Sequence, residues 1–248
     1  MLAVGLDFFT RDAGAFYSRW SHVLVGVAWI GLLYFFNLVQ VPAFAEMEPA
    51  ARNNTMDKLT WRALWWFRWA ALATVVTGIL LLIFQEQFKG DYMKTAPGIS
   101  ISAGVLLGLT MFVNVWGIIW PKQKVVIGNA RAVQAGGEAD PAAPEAGRRA
   151  LLASRMNTIF SLPLLLFMVG TSHFPYSSEL DTSGSKRALF WGIFLVVWAL
   201  MELNALGLLG GIKAGGARLM FDTHRNAVCT GLVYTAFSVL LFAFVLSS

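Results

Sequence analysis

The stretch Trp20–Ala45, WSHVLVGVAWIGLLYFFNLVQVPAFA, contains no charged side chain. A helix needs about 20 apolar residues to cross the hydrocarbon core of a bilayer. Inside a bilayer only helices and closed barrels satisfy all backbone hydrogen bonds. Five similar stretches follow, the fifth of the six broken only by Glu202: Trp69–Gln85, Thr95–Pro121, Met156–Ser178, Ala188–Gly211 and Asn226–Ser248. The sequence therefore predicts an all-α, polytopic membrane bundle of six transmembrane helices.

The predicted helices form a single transmembrane domain that takes up residues 1–248. We expect them at about residues 20–45, 62–85, 97–120, 150–174, 187–210 and 224–247. Pro121 follows Trp120 and is expected to end the third helix. A linker at about residues 122–149, which includes an Ala-, Gly-, Pro- and Glu-rich run, is expected to join the third and fourth helices on the cytoplasmic side.

Composition narrows the class of protein further. Hydrophobic residues make up 57% of the chain and charged residues 13%, against about 25% charged in soluble domains. We assign the excess of Lys and Arg to loops that face anionic lipid, and we expect no nucleic-acid partner. The single cysteine, Cys229, excludes a disulfide within the chain, and no CxxCH motif for a covalently attached haem occurs. The N-terminal segment lacks the pattern of a signal peptide.

The distribution of Lys and Arg predicts the orientation. Thirteen of them lie in or beside the loops after the first, third and fifth helices, and six lie in the N-terminal segment and the other two loops. Cytoplasmic loops of membrane proteins carry the excess of Lys and Arg. We therefore expect a multi-pass protein of the bacterial inner membrane with both termini in the periplasm.

Two of the three histidines are expected at the same depth, near the outer face. His22 lies near the start of the first helix and His173 near the end of the fourth. Gly26 and Gly170 each lie one turn deeper in the membrane than the neighbouring histidine. A flat macrocycle bound to a histidine needs such positions without a side chain beside it. Haem b in a helix bundle is typically held by histidines on facing helices. The alternative is that both histidines bond to lipid headgroups, loop backbone or water; the third, His224, is interpreted as a cap or loop residue.

Glu202 is the candidate catalytic residue, because a carboxylate inside a helix span costs several kcal/mol unless it is paired or protonated. It could relay protons or bind substrate. Alternatively it forms a structural hydrogen bond, with Asn204 or His224 as the expected partner. Asn114 and Asn157 are expected to make hydrogen bonds between helices.

Three segments together resemble a known family: RWSHVLVGVAWIGLLYF at 19–35, MFVNVWGIIWPKQKVV at 111–126 and SRMNTIFSLPLLLFMVGTSHF at 154–174. They resemble the membrane domain of the bacterial membrane-bound urate hydroxylases (urate oxidase, N-terminal domain). In that family a c-type cytochrome domain follows, and electrons from purine oxidation pass toward the respiratory chain. The resemblance places His22 and His173 on the family's recurring histidines, whereas Met156 stands where a histidine is expected in the family's fourth-helix motif.

Three functions remain open on the sequence alone. The first is a haem-b-binding membrane protein in electron transfer, with a separate acceptor such as a cytochrome c or another membrane subunit. The second is a non-catalytic accessory subunit of a larger respiratory or photosynthetic membrane complex. The third is a permease for a small solute or metal. Whether the chain forms part of a membrane-bound oxidoreductase is left open.

Overall fold

The computed structural model describes residues 9–176 and 180–247. Six long helices in this part of the chain are apolar enough to cross a membrane, which confirms the predicted all-α bundle. We label them α1 to α6, and their bounds are Arg11–Glu46, Pro49–Phe84, Ala96–Gln134, Ala143–His173, Gly184–Ala205 and His224–Val245. Threonines cap three of the helix starts: the hydroxyl oxygens of Thr10, Thr95 and Thr223 accept from the backbone N–H three residues later.

The first three helices are longer than predicted. They contain 36, 36 and 39 residues, so each is about 54 to 58 Å long and exceeds the roughly 30 Å hydrocarbon core. Each also contains a π-helical segment, at Phe35–Gln40, Met56–Thr60 and Asn114–Ile119. Hydropathy did not indicate these extensions, because their residues are polar enough to lie outside the hydrocarbon.

Pro121 does not end the third helix, so that expectation was wrong. The N–H of Trp120 bonds to the carbonyl of Val115, in the wide π pattern, and α-helix continues from Trp120 to Gln134. A proline is tolerated where a helical segment begins, because its missing N–H is not needed there. Most of the expected linker at 122–149 is consequently helical, and only residues 135–142 separate α3 from α4.

The fifth helix ends at Ala205, five residues before the predicted boundary. Gly207 adopts a positive φ of 81°. The N–H of Leu208 then bonds to the carbonyl of Leu203, and the N–H of Gly207 to that of Asn204. This glycine-dependent pattern closes a helix C-terminus. The apolar residues that follow Gly207 belong to the loop between α5 and α6.

Helix α4 lies at the centre of the bundle. Of its most apolar stretch, 67% is buried inside the protein, against 22% for α1 and 28% for α6. It packs against α3 and α6 and also contacts α1 and α5, whereas α1 packs mainly along α2. Side chains on several faces of α4 are therefore shielded from lipid, and buried polar groups can be held there.

The loops connect the helices at two ends. At one end, loops join α1 to α2, α3 to α4 and α5 to α6. Thirteen Lys and Arg lie in or beside these three loops, and we call this end of the bundle the basic end. There Arg131 forms an ion pair with Asp57. At the opposite end Arg11 forms an ion pair with Glu86, and the N–H of Asp181 donates to the carbonyl of Leu246 at 2.7 Å.

Candidate functional site

His22 lies between α1 and α2 near the end opposite the basic end. Its Nδ1 is 2.9 Å from the carbonyl oxygen of Thr74 and 3.2 Å from Oγ1 of Thr77. The ring lies against Gly78, where a Cβ would come within 3.0 Å of Cε1. Because a carbonyl only accepts, Nδ1 carries the proton, and in the neutral imidazole Nε2 then keeps its lone pair. Histidines that bind a metal commonly donate their second nitrogen to a backbone carbonyl in this way.

His173 has a different environment. It is the last residue of α4 and is exposed. Gly170, one turn earlier, packs toward α3: a Cβ there would be 3.5 Å from Oγ of Ser100 and 3.7 Å from Cβ of Phe174. A Cβ at Gly26, by contrast, would meet nothing within 4 Å. Open space therefore lies beside the glycine that follows His22, whereas a Cβ at the glycine before His173 would be in ordinary contact with its neighbours.

The two histidines share one end of the bundle but are not joined by a hydrogen bond in the described ranges. The His22 ring bonds to α2, and His173 lies at the tip of α4. Within residues 9–176 and 180–247, no group of three or more His, Cys, Asp or Glu side chains is placed to hold a metal ion. Ligation of one iron by His22 and His173 stays a prediction.

Glu202 lies in a buried polar cluster that we call the amide cluster, formed by Asn114, Asn157 and Glu202. Nδ2 of Asn114 is 2.9 Å from Oδ1 of Asn157 and 3.3 Å from Oε2 of Glu202. Nδ2 of Asn157 donates to the carbonyl of Met111 at 3.0 Å. No Lys, Arg or His nitrogen in the described chain lies within 4.0 Å of the Glu202 carboxylate.

The amide cluster joins three helices at a π-helical turn. Asn114 opens the π segment of α3, Asn157 belongs to α4 and Glu202 to α5. Asn114 and Asn157 are 2% and 0% exposed, so this carboxyl is bonded by a neutral partner inside the protein. Such π turns are frequent at functional sites. The expected partners, Asn204 and His224, do not fill this role: Nδ2 of Asn204 instead donates to the carbonyl of Ala217 at 2.7 Å.

A second polar row runs along the side of α4 that faces α1. Nδ2 of Asn37 donates to Oγ of Ser154 at 2.8 Å, and the hydroxyls of Tyr34 and Ser161 are 2.9 Å apart. Met156, where the family resemblance implied a histidine, is fully buried. The central helix therefore carries polar contacts on two sides, toward α1 and toward α3 and α5.

Arginines attach the loop between α5 and α6 to α4. Arg155, 5% exposed, donates to the carbonyls of Phe221 and Asp222. Arg148 donates to Oδ1 of Asp222 at 2.7 Å, and the N–H of Gly215 donates to Oδ2 at 2.7 Å. Partial burial alone would raise the pKa of Asp222, but these hydrogen bonds and the charges of Arg148 and Arg155 hold it below its usual value. The glycine-rich loop is thus held at defined points.

The sequence did not reveal the surroundings of Arg68. Its guanidinium carbon lies 3.8 Å from the ring centroid of Trp120 and 5.3 Å from those of Trp69 and Trp116. A signal for this arrangement exists: tryptophans recur every four residues at 61, 65 and 69, and again at 116 and 120. That spacing places each set on one helix face, but only the structure shows the two faces meeting around an arginine.

These features define a multi-pass α-helical membrane protein. The sequence model of the family described as urate oxidase N-terminal matches residues 91–199, which include α3, α4 and most of α5. The predicted resemblance is confirmed over this segment, which contains His173, Asn114 and Asn157. His22 and Glu202 lie outside the matched residues, as does the segment 19–35. Neither a curated protein nor a solved structure matches the chain.

Proposed function

We propose that this protein binds haem b in the bacterial inner membrane and carries electrons to a separate acceptor such as a cytochrome c. Two findings support the proposal. Residues 91–199 are similar to the urate oxidase N-terminal family, and the His22 imidazole is held with Nε2 available as a ligand. The second finding carries the proposal, because it is a property of the site itself.

The fit to a haem group is better at His22 than at His173. The Thr74 carbonyl fixes the His22 tautomer and ring orientation, and no atom within 4 Å of the Cβ position of Gly26 obstructs a flat macrocycle. His173 is exposed and free of a competing hydrogen bond within the described residues, so its imidazole would be available as a second ligand. A Cβ at Gly170 would already be in ordinary contact with Ser100 and Phe174, so little free space lies beside this glycine. Clearance for the macrocycle therefore comes chiefly from the Gly26 side.

In this proposal the group supplies one-electron redox chemistry at its iron, and two imidazole ligands favour electron transfer over oxygen binding. The protein positions the imidazole of His22 through Thr74 and Thr77. The surrounding apolar helices exclude water. The excess of Lys and Arg at the basic end supports an orientation in which that end faces the cytoplasm. The histidine end and both termini then face the periplasm, where a soluble acceptor can approach.

The test is a reduced-minus-oxidised optical spectrum of the purified full chain. The proposal predicts a sharp Soret band and a resolved alpha band from low-spin haem, with a pyridine haemochrome typical of haem b. A purified, folded protein without these bands contradicts it. If other membrane subunits then co-purify, the accessory-subunit function replaces it; if the protein is alone, solute or metal transport becomes the function to measure.

A further inference from the structure

Arg68 is a cation in the membrane-spanning part of α2 that has no anionic partner among the described residues. Within residues 9–176 and 180–247, no carboxylate lies within 4.0 Å of its guanidinium. Its Nε is buried without a hydrogen-bond acceptor. Two cations near the same end, Lys58 and Arg131, instead contact Asp57. An arginine within a span is expensive, and it normally finds an anion or a route to the interface.

The depth of Arg68 corresponds to the lipid headgroups at the basic end. It lies 16 residues from Phe84, the far end of α2, which is about 24 Å along a helix axis. Side chains on a helix lean toward its N-terminus, and the N-terminus of α2 lies at the basic end. The guanidinium thus extends toward the boundary of a hydrocarbon core about 30 Å thick. Tryptophans favour that same boundary.

Indole rings shape the space around this cation. Trp120 lies directly beneath the guanidinium, at 3.8 Å from its carbon. Trp69 and Trp116 pack edge to face, with centroids 5.5 Å apart, and Nε1 of Trp116 donates to the Arg68 carbonyl at 3.2 Å. A guanidinium stacked on an aromatic ring keeps its edge N–H groups free to donate to an anion. On the lipid side, Trp65, Trp66 and Trp69 are 42%, 65% and 39% exposed.

We propose that Arg68, with Trp69, Trp116 and Trp120, forms a binding site for the phosphate of an anionic phospholipid in the leaflet at the basic end. The guanidinium donates two parallel hydrogen bonds to the phosphodiester. The exposed tryptophans contact the glycerol and upper acyl chain. The ligand is a membrane lipid and not a soluble phosphate, because Trp69 beside the cation is exposed on the helix surface that faces the bilayer. This site is independent of the proposed haem.

The experiment compares wild type with Arg68→Gln by native mass spectrometry of the full chain in detergent. Phosphatidylglycerol, phosphatidylcholine and inorganic phosphate are titrated separately. Arg62→Gln is the matched control, since Arg62 is exposed on the same helix and donates only to the Lys58 carbonyl. We expect Arg68→Gln to bind phosphatidylglycerol about tenfold more weakly, the loss expected for a charge-assisted hydrogen bond, and Arg62→Gln to bind it as wild type does.

Three results would overturn the proposal. The first is equal loss in both variants, which would mean general charge attraction. The second is equal affinity of wild type for phosphatidylglycerol and phosphatidylcholine. The third is binding of inorganic phosphate as tight as that of the lipid.

If Arg68→Gln does not accumulate, Arg68→Lys is measured in its place. This variant keeps the charge but loses the two parallel hydrogen bonds of the guanidinium. We expect it to bind phosphatidylglycerol several-fold more weakly, and affinity equal to wild type would refute the geometry.

Discussion

Nδ2 of Asn114 in α3 is 3.3 Å from Oε2 of Glu202 in α5. The same nitrogen is 2.9 Å from Oδ1 of Asn157 in α4. One amide group therefore connects the three helices at a point where α3 widens into a π turn. A neutral donor can hydrogen-bond a carboxyl group in either protonation state, so this contact does not require the glutamate to be charged.

Glu202→Gln tests whether the carboxyl acts only as a brace. We expect assembly and the thermal unfolding midpoint to be retained, because the glutamine amide oxygen still accepts from Asn114. Glu138→Gln, in the exposed segment between α3 and α4, is the control. If turnover with an electron acceptor falls while assembly is retained, the carboxyl carries a proton or contacts substrate. Loss of assembly would contradict the neutral contact and indicate an ionised carboxylate with a partner left uncompensated.

Asn157→Ala tests the centre of the amide cluster. The substitution removes the acceptor for Asn114 and the donor to the Met111 carbonyl. Each buried polar group left without a partner costs about 1 to 3 kcal/mol. We expect a clear fall in the thermal midpoint, measured by loss of folded protein in detergent. Asn54→Ala, at an exposed position of α2, should change it little, and equal effects would show that Asn157 has no special role.

Asp222→Asn tests the arginine contacts that hold the loop between α5 and α6. The pKa of Asp222 is below its usual value in the folded protein. The ionised carboxylate therefore contributes stability above the ordinary carboxyl pKa of about 4, and this contribution is lost as pH falls through the lower folded-state value. We expect Asp222→Asn to lower the midpoint at pH 7, with the difference from wild type shrinking in acid. Asp91→Asn, at an exposed site, is the control and should leave the midpoint at pH 7 close to that of wild type.

The proposed orientation predicts where the C-terminus lies. With thirteen Lys and Arg at the basic end and six elsewhere, a C-terminal alkaline phosphatase fusion should be active and a C-terminal green fluorescent protein fusion dark. The reverse pattern would move the histidine end to the cytoplasm. The haem proposal would survive that result, but a periplasmic acceptor would not.

The number of helices and their approximate positions were predictable because hydropathy and charge report directly on the hydrocarbon core. The extension of α3 through Pro121 was not, since it depends on a π hydrogen bond from Trp120 to Val115. The early end of α5 depends on the positive φ of Gly207. Several glycines follow α5, and the sequence alone does not show which of them adopts a positive φ at the helix end.

The candidate sites were predictable in part. Asn114 and Asn157 were expected to bond between helices, and both do so. Their link to Glu202 was not foreseen, because it depends on how α3 and α5 pack against α4. The exposure of His173 and the contact of Gly170 with Ser100 likewise follow from tertiary packing. Residue type and spacing within one helix do not show which residues of a neighbouring helix it contacts.

The most direct test of the central proposal is the reduced-minus-oxidised spectrum of wild type beside His22→Ala, His173→Ala and His224→Ala, purified in parallel. His224 begins α6 at the basic end, away from the proposed ligands. We expect low-spin haem b bands in wild type and in His224→Ala. Both other variants should lose the bands or convert them to a high-spin form. Loss of haem in His224→Ala together with an unchanged spectrum in His22→Ala would contradict the assignment and move the ligand search to the basic end.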